Sequence, residues 1–523
     1  MESSRFPPEA IATALQRFYD FSPQKALALA TAGPEQIRSP WMVPGMDTLA
    51  GRLVQALRRR ETILVFGDFD TDGVTGSATL FHTLTRYSDR VQRYNPFYQE
   101  DYGLHVGQVE RFAQRGVRLI VTVDSGITSL EAVERAGHLG MEVLITDHHL
   151  PLHDPGPPHT PYVDPPDHLL SGAQLAYLVA QALHKRMGSA AEHDSWGLSL
   201  SAVGAQTDWV PVDEPETRGW VAQAHRIIHS PECPRGLQVL REVLGERYTC
   251  SEMLSLGGAL NMAKRSHLVD PNAIVEALLP ETPDERRREV FRFLLDERSR
   301  SHRLAAAVTS QAVEDLREEA GRPGLLIYEV QVPDQTLSEI EGPLTSRLVE
   351  VTGRPTLVLR PAGERIAFSG RARGAFSFES LLNEPEVRSL VLSMGGHHQA
   401  IGGSLHPGDR ASFLEAVRHW EQRQPPFEPL PAGNPPAELL EQLDAQLACL
   451  LGRAVGPFGH HLRPRRFRTT LQVKGGWAFS GDCLIELDRS PADGEWNVVF
   501  RFDEAGCDGE NVALRIEEAR RPE

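Results

Sequence analysis

The chain has 523 residues, enough for about three domains at roughly 100–200 residues each, so a peptide or a small disulfide-stapled scaffold is excluded. Apolar residues make up 41% and charged residues 24%, with 44 glycines and 38 prolines, which excludes wholesale disorder and collagen. Lys and Arg total 54 against 71 Asp and Glu; the net charge of -17 opposes a polyanionic partner at long range, although aspartates that hold metal contribute to that sum.

The first residues, Met1 to Pro8, hold no apolar signal core, and no apolar run approaches the ~20 residues of a membrane helix, so a cytoplasmic chain with no membrane partner is expected. Cys233, Cys250, Cys449, Cys483 and Cys507 are scattered without a C-x-x-C pair and are expected to be reduced thiols. An N-terminal helical segment is assigned to residues 1–45. From there the pattern alternates between helix-like stretches (Leu49 to Arg60, Gly76 to Tyr87, Ser129 to Gly137) and β-branched runs (Ile63 to Phe66, Val117 to Val123, Val143 to Thr146). Such alternation predicts βαβ units on a parallel sheet, here within a domain spanning 46–274. A proline-rich loop, Asp154 to Pro166, precedes a helical stretch from Leu169 to Arg186.

Residues 275–320 carry many charges and few breakers and predict a long exposed helical connector between two lobes. Leu325 to Tyr328, a helix over Pro343 to Val351, and Thr356 to Leu359 predict a second α/β module at 321–424. The stiff segment Gln424 to Pro436 suits a linker. Beyond it, a helix at Ala437 to Leu451 and strands at Arg468 to Val473, Cys483 to Leu487, Asn497 to Phe502 and Val512 to Ile516 predict a small OB-fold-like barrel within 425–523. The basic run Arg463 to Arg468 includes Phe467 and lies near Trp477 and Phe479, a composition suited to stacking bases, whereas Trp496 and Phe500 are assigned to the core.

The sharpest chemical signal follows the first predicted strand, where Asp68, Asp70 and Asp72 alternate before Gly73. If the chain stays extended there, the three carboxylates share one side. Two more apolar runs end in acids, at Asp124 and at Asp147-His148-His149, and Val203 to Asp208 is read as a fourth such end. Ligands bind beyond the carboxyl ends of parallel strands, so these ends should converge. Crowded carboxylates need cations between them, and the added imidazoles suit Mn²⁺ first and Mg²⁺ second. Two such ions ~3.5–4 Å apart, sharing one carboxylate, can polarise a phosphoryl oxygen and prepare water for in-line attack. An EF-hand is disfavoured because its twelfth loop position, counted from Asp68, is Thr79 rather than Glu.

These motifs resemble the DHH phosphoesterase superfamily and, within it, the RecJ-like single-strand exonucleases. Gly67 to Gly73 is similar to the first motif, Val123 to Gly126 to the second, Asp147-His148-His149 to the third and Gly204 to Asp208 to the fourth. Asp101 to Leu104 resembles the family's Gly-Tyr-Gly segment. Ser369 to Arg373 with Gly395 to Gly402 resembles the DHH-associated domain, and Gly456 to Gly459 the opening of the family's OB-fold. The resemblance implies a two-lobed α/β fold, a parallel-sheet DHH domain and a DHH-associated domain joined by a long helix, with a C-terminal OB-like β-barrel. It also implies a metal-dependent 5′-3′ exonuclease of single-stranded DNA in repair and recombination, with a single-strand-binding protein or helicase as a possible partner.

By the same resemblance Asp70 and Asp72 each hold one of two ions, Asp124 bridges them, and His148 and Asp208 complete the shell of the second ion. Asp68 is a metal-site acid or its support, Asp147 orients the neighbouring imidazole, and His149 faces the scissile phosphate. Arg371 and His397 grip phosphate, together with Gly395 and Gly396, whose backbone N–H groups can approach an anion unless the pair simply makes a tight turn. Asn261 and Arg265 fall in a further substrate-side stretch.

The chain departs from the family pattern on that side. Asn95 to Tyr98 lacks the usual Arg, Gly258 to Asn261 lacks another, and Leu337 to Pro343 replaces a His-x-Gly-Val-x-Gly run, while Ser346-Arg347 is kept. These losses leave two alternatives: a DHH hydrolase of short oligonucleotides or cyclic dinucleotides, and a non-catalytic single-strand-binding scaffold, a class whose members have lost metal ligands that this chain keeps.

Overall fold

The computed structural model describes residues 7–100, 102–149, 162–163, 169–189, 194–208, 210–245, 252–316, 323–330, 340–372, 376–397, 400–424, 438–439, 467–474, 477–480, 483–487, 494–502 and 511–520. The chain divides into two compact units, one of residues 1–263, 270–295 and 436–523, the other of 264–269 and 296–435.

The first unit opens with α1 (Pro8–Tyr19) and α2 (Pro23–Ala30), each starting on a proline whose fixed φ suits the first helical position. Next come α3 (Met46–Arg58), β1 (Ile63–Gly67), α4 (Thr71–Thr85), β2 (Val91–Tyr94), α5 (Val106–Gln114), β3 (Leu119–Val123), α6 (Leu130–His138), β4 (Glu142–Thr146) and β5 (Tyr162–Val163). The strands form one parallel sheet in the order β2-β1-β3-β4-β5. Every residue of β1 and β3 is buried, as expected for central strands covered on both faces.

Side-chain alternation divides β1 between those faces. Leu64 and Phe66 join Val109, Phe112, Ala132 and Ala136 in the core beneath α5 and α6. The Phe66 ring sits 6.2 Å from Tyr94 and 6.3 Å from Phe112. The other face is covered through α4 and α7 (Gly172–Met187), with α8 (Ser195–Thr207) behind them. These helices meet along small residues: a Cβ on Gly76 would lie 2.6 Å from Val123 and 3.1 Å from the Ala173 backbone. Helices α9 (Pro215–Ile228), α10 (Arg235–Leu244), α11 (Glu252–Leu260) and α13 (Pro271–Leu278) complete the helical part of this region, and the short α12 (Met262–Arg265) starts in it, with Lys264 and Arg265 belonging to the second unit.

The predicted connector is α14 (Asp284–Asp315), 32 residues long, and the division into units falls within it, between Leu295 and Asp296. It is not exposed all round. Phe291 and Leu294 are buried in the first unit and Ala312 in the second, and the buried Arg287 guanidinium donates to the carbonyls of Ala277 and Leu279. Its charge-rich sequence hid a stripe of widely spaced apolar residues.

The second unit contains β6 (Leu326–Glu329), α15 (Glu341–Thr352), β7 (Thr356–Ala362), β8 (Arg365–Arg371), α16 (Glu379–Leu382), α17 (Pro385–Arg388), β9 (Val391–His397), β10 (Ala400–Leu405) and α18 (Arg410–Gln422). Its sheet runs β6-β7-β8-β10-β9, with only the β6–β7 pair parallel. One core gathers Leu357, Phe368, Phe378, Phe413 and Trp420; another packs Val308 and Ala312 of α14 against Leu344 and Leu348 of α15.

Towards the C-terminus, β11 (Glu438–Leu439) occupies residues predicted to be helical; the rest of that predicted helix lies outside the described residues. β12 (Phe467–Lys474), β13 (Trp477–Ser480), β14 (Cys483–Leu487), β15 (Gly494–Phe502) and β16 (Asn511–Arg520) complete a mixed sheet. β12 pairs with β13, β13 with β14, β14 with β16, and β16 with β15, while β15 pairs back to β12. Phe467 is not available to stack a base. It is buried, its ring 5.8 Å from Phe18 and 6.0 Å from Phe500. The side chains of Trp477 and Phe479 lie outside the described residues, as do Arg463 to Arg466 and Gly456 to Gly459.

Phe66→Ala removes a fully buried ring from between two others and is expected to cost about 3–5 kcal/mol. Urea unfolding followed by circular dichroism in the far ultraviolet should show the first unit's transition at lower denaturant.

Candidate metal centre

Asp68 directly follows β1, Asp124 follows β3 and Asp147 follows β4, so the parallel register brings three strand ends side by side. The segment from Asp68 to Asp72 is not extended throughout, as the alternation suggested. Asp70 is the N-cap of α4, its Oδ1 accepting from the N–H groups of Asp72 (3.0 Å) and Gly73 (3.2 Å), and Asp72 sits in the first helical turn. Gly73 is required by the tight entry: a Cβ there would lie 2.5 Å from the Asp68 carbonyl oxygen.

Asp208 is likewise not a strand end. It caps the C-terminus of α8, its N–H donating to the Gly204 carbonyl at 2.9 Å. The apolar run before it is a buried helix segment, which a short β-branched stretch does not distinguish from a strand.

Asp72 is also held by the start of α7, whose Gly172 and Ala173 N–H groups donate to its two oxygens at 2.6 and 3.1 Å. Ser171 and Gln174 form a reciprocal cap that fixes this end. Glycines permit the approach. A Cβ on Gly172 would lie 2.4 Å from the Asp124 Cβ, and one on Gly204 would lie 2.5 Å from Asp72 Oδ1. Two helix N-termini thus present partial positive charge to the acids.

Asp124 has φ of 59°, in the left-handed region that non-glycine residues avoid. Its Oδ1 lies 3.1 Å from His148 Nε2, which is also 3.5 Å from Asp208 Oδ2 and 3.9 Å from Asp72 Oδ2. Three sets of ligand atoms each lie within 4.8 Å of one another: Asp68, Asp70 and Asp124; Asp72, His148 and Asp208; and Asp124, His148 and His149. Asp68, Asp72 and Asp124 are buried.

Burial, then the charge on Asp70, pushes Asp72 up to about 7. Burial and four surrounding aspartates, Asp72 first, raise Asp124 well above the carboxylate range. Asp147 shifts the other way. Burial alone would raise it, but hydrogen bonds and charge from His149, a bond from the Ile127 N–H and the charge on His148 hold it low. Its Oδ1 takes His149 Nδ1 at 2.8 Å and the N–H groups of His148 and His149, and its Oδ2 takes the Ile127 N–H at 3.0 Å. Burial opposes charge on His149, yet Asp147 outweighs it and pushes the imidazole up to about 9.

Carboxylates and one or two imidazoles in this density form the donor set of a divalent cation with mixed oxygen and nitrogen ligands. Mn²⁺ and Mg²⁺ both fit the oxygen-rich part, and the imidazole favours Mn²⁺. With protons displaced, the buried acids supply the negative charge that such ions would offset.

The remaining sequence-assigned residues are distributed differently. Asn261 Oδ1 accepts from the Thr71 N–H at 3.2 Å and so supports the start of α4. Arg265, partly buried, ends α12 and belongs to the second unit. Arg371 ends β8, its Nη1 donating to the carbonyls of Gly370 (2.8 Å) and Ile401 (3.3 Å). Gly395 and Gly396 are not a tight turn; they lie in the edge strand β9, paired with Gly402 and Ile401. His397 ends that strand, and its side chain lies outside the described residues.

Two contributors had weaker sequence signals. Asn95, fully buried, donates to the Asp68 carbonyl at 2.6 Å and to Ser77 Oγ at 3.0 Å. Tyr102 Oη lies 3.1 Å from the Asp124 carbonyl oxygen and 2.9 Å from His149 Nδ1. Nothing in the spacing around Tyr102 marks that contact.

Residues 62–204 match the DHH family, N-terminal domain. The chain is 28% identical over 425 residues to the single-stranded-DNA-specific exonuclease RecJ of Bacillus subtilis (strain 168), covering 78% of this chain and 51% of that protein. It therefore spans about half the length of that relative. It is 30% identical over 411 residues to the protein of the same name from Dickeya dadantii (strain 3937), covering 72% of this chain and 70% of the relative. The crystal structure of RecJ in complex with Mn²⁺ from Thermus thermophilus shares the fold, with a TM-score of 0.73 at 22% identity over 99% of this chain and 79% of that one.

Asp72, Asp124 and His149 each bind protons more tightly here than in an unfolded chain, because their folded values are raised. The stability tied to those protons is present at low pH and lost as pH rises, for Asp72 between its ordinary 3.8 and about 7. Asp147, with its lowered value, acts in the opposite sense only near and below the ordinary carboxylate range. In chelator, the melting temperature is expected to fall from pH 5 to pH 8, and saturating Mn²⁺ should flatten the fall by taking the protons' place. Scanning calorimetry across that range checks this; identical profiles with and without Mn²⁺ would count against a cation site.

Proposed function

The chain belongs to the RecJ family of single-stranded-DNA-specific exonucleases, and on that premise we propose that it removes nucleotides from the 5′ end of single-stranded DNA by metal-dependent hydrolysis. The observation that carries the reading is the convergence of Asp68, Asp70, Asp72, Asp124 and Asp208 with His148 in one pocket. Asp68, Asp70 and Asp124 would hold one cation, and Asp72, His148 and Asp208, together with Asp124, a second. When bound, two such cations polarise a phosphoryl oxygen and make water acidic enough to serve as a nucleophile.

The chain's own residues do the rest. Asp70 and Asp72 are fixed by backbone N–H groups and so keep their direction without substrate. His149, half exposed and drawn to about 9 by Asp147, carries positive charge at neutral pH and can donate a hydrogen bond to a phosphate oxygen. Asp147 holds that imidazole and touches no substrate.

Strand binding is assigned to residues beyond the pocket. Arg371 and His397, with the backbone of Gly395 and Gly396 on the edge strand, are read as phosphate contacts, and Asn261 and Arg265 as further substrate-side groups. The ring of strand pairings from β12 through β16 supports an OB-fold-like barrel, a form suited to single strands. A cytoplasmic role in DNA repair and recombination follows from the same reading. Among the described residues, no helix is long and apolar enough to cross a membrane.

With Mn²⁺, the purified protein is expected to release nucleotides from 5′-labelled single strands well before 3′-labelled ones. Asp124→Ala should lower turnover by about 10³-fold or more while changing strand affinity less than about threefold, because the lost group acts on chemistry. Release measured by gel and affinity by fluorescence anisotropy separate the two effects. A dinucleotide hydrolysed faster than a long strand would instead favour a short-oligonucleotide hydrolase, and inertness with every divalent metal would sink the proposal.

A further inference from the structure

Tyr102 is held in place by the two residues on its C-terminal side. Gly103 has φ of 90°, and Leu104 is buried in the core with its N–H bonded to Ser129 Oγ at 3.0 Å. Tyr102 itself remains 38% exposed, so filling the core does not explain its position. Its hydroxyl meets two partners, and both belong to the metal centre: the Asp124 carbonyl oxygen at 3.1 Å and His149 Nδ1 at 2.9 Å.

Proton counting fixes the direction of these bonds. A carbonyl oxygen only accepts, so the Tyr102 hydroxyl proton goes to Asp124. Tyr102 Oη then faces His149 Nδ1 with a lone pair, and the nitrogen must carry the hydrogen. The same hydrogen points at Asp147 Oδ1, 2.8 Å away. Nδ1–H is thus shared between two acceptors on different segments, one after β4 and one on the loop before α5. Two acceptors restrict rotation of the ring more than one would, and they leave Nε2 as the nitrogen that can meet substrate.

We propose that Tyr102 is a positioning residue for His149: its hydroxyl, anchored on the Asp124 carbonyl, fixes the imidazole so that Nε2 is presented to the phosphate. The inference rests on the hydrolase reading above.

Tyr102→Phe keeps the ring and deletes the hydroxyl. Loss of one hydrogen bond accepted from the charged imidazole should lower kcat on single-stranded DNA about tenfold or more, with KM within about twofold of the parent. In a His149→Ala background the same change should cost less than about twofold, because the ring it positions is gone. An equal loss in both backgrounds, or a kcat within about twofold of the parent in the single variant, would overturn the proposal.

A second measurement needs no turnover. In ¹⁵N-histidine-labelled, Mg²⁺-loaded protein, the His149 Nδ1-bound proton should give a slowly exchanging signal that shifts or broadens in Tyr102→Phe. An unchanged signal would overturn the positioning role even if the parent proved inert, whereas inertness alone would overturn only the proposed activity.

Discussion

Mutual repulsion among buried carboxylates is the constraint around which the first unit is organised. At about 4 Å two like charges cost on the order of 4 kcal/mol even at an effective dielectric of 20, and several such pairs meet beyond β1, β3 and β4. The fold offsets part of this with fixed dipoles. Asp70 takes N–H groups at the start of α4, and Asp72 takes two at the start of α7. The offset is incomplete, since Asp72 and Asp124 remain well above the ordinary carboxylate range. A pocket left in that condition is built to be completed by cations.

Bringing helix ends so close to acids requires small residues at the points of contact. Gly73, Gly172 and Gly204 each stand where a Cβ would come within 2.5 Å of Asp68, Asp124 or Asp72. At Gly73 and Gly172 the neighbour is a backbone oxygen or an Asp Cβ, neither of which can give way without moving a strand end. The glycines of this pocket are therefore tied to its electrostatics: without close approach the N–H donors would not reach the carboxylates, and the repulsion would go unopposed.

Much of this was legible in the sequence because strands and acids recur together. Fully buried β1 and β3, and β4 buried beyond Glu142, read as apolar runs, and the acids directly after them read as strand ends. Asp208 is not a strand end because the short run before it, Val203 to Thr207, is too brief to tell a strand from a helix by periodicity and belongs to a helix buried on most sides. Asp70 and Asp72 alternate in sequence but are placed by a helix start, since backbone N–H groups capture Asp70 before extension can continue. Tyr102 and Asn95 lie in segments that the family resemblance touches, but their contacts to the metal centre were not visible in the sequence. Their contacts join segments 22 and 27 residues apart and depend on loop paths that no periodicity records.

Asp147 and Asp124 show how one residue type serves two ends within one pocket. Both are buried at the ends of adjacent strands, so desolvation acts on both in the same direction. Asp147 is surrounded by donors: three N–H groups and an imidazole address its two oxygens. Asp124 is surrounded by four other carboxylates, with His148 the imidazole at its Oδ1. The first therefore stays ionised and holds a charged His149, and the second favours a proton until a cation replaces it. Adjacent histidines inherit the difference. His148 turns Nε2 towards Asp72, Asp124 and Asp208, while His149 gives Nδ1 to Asp147 and so has Nε2 as its other ring nitrogen. What separates the two imidazoles of this pair is therefore the side of the pocket on which each carboxylate already has its donors.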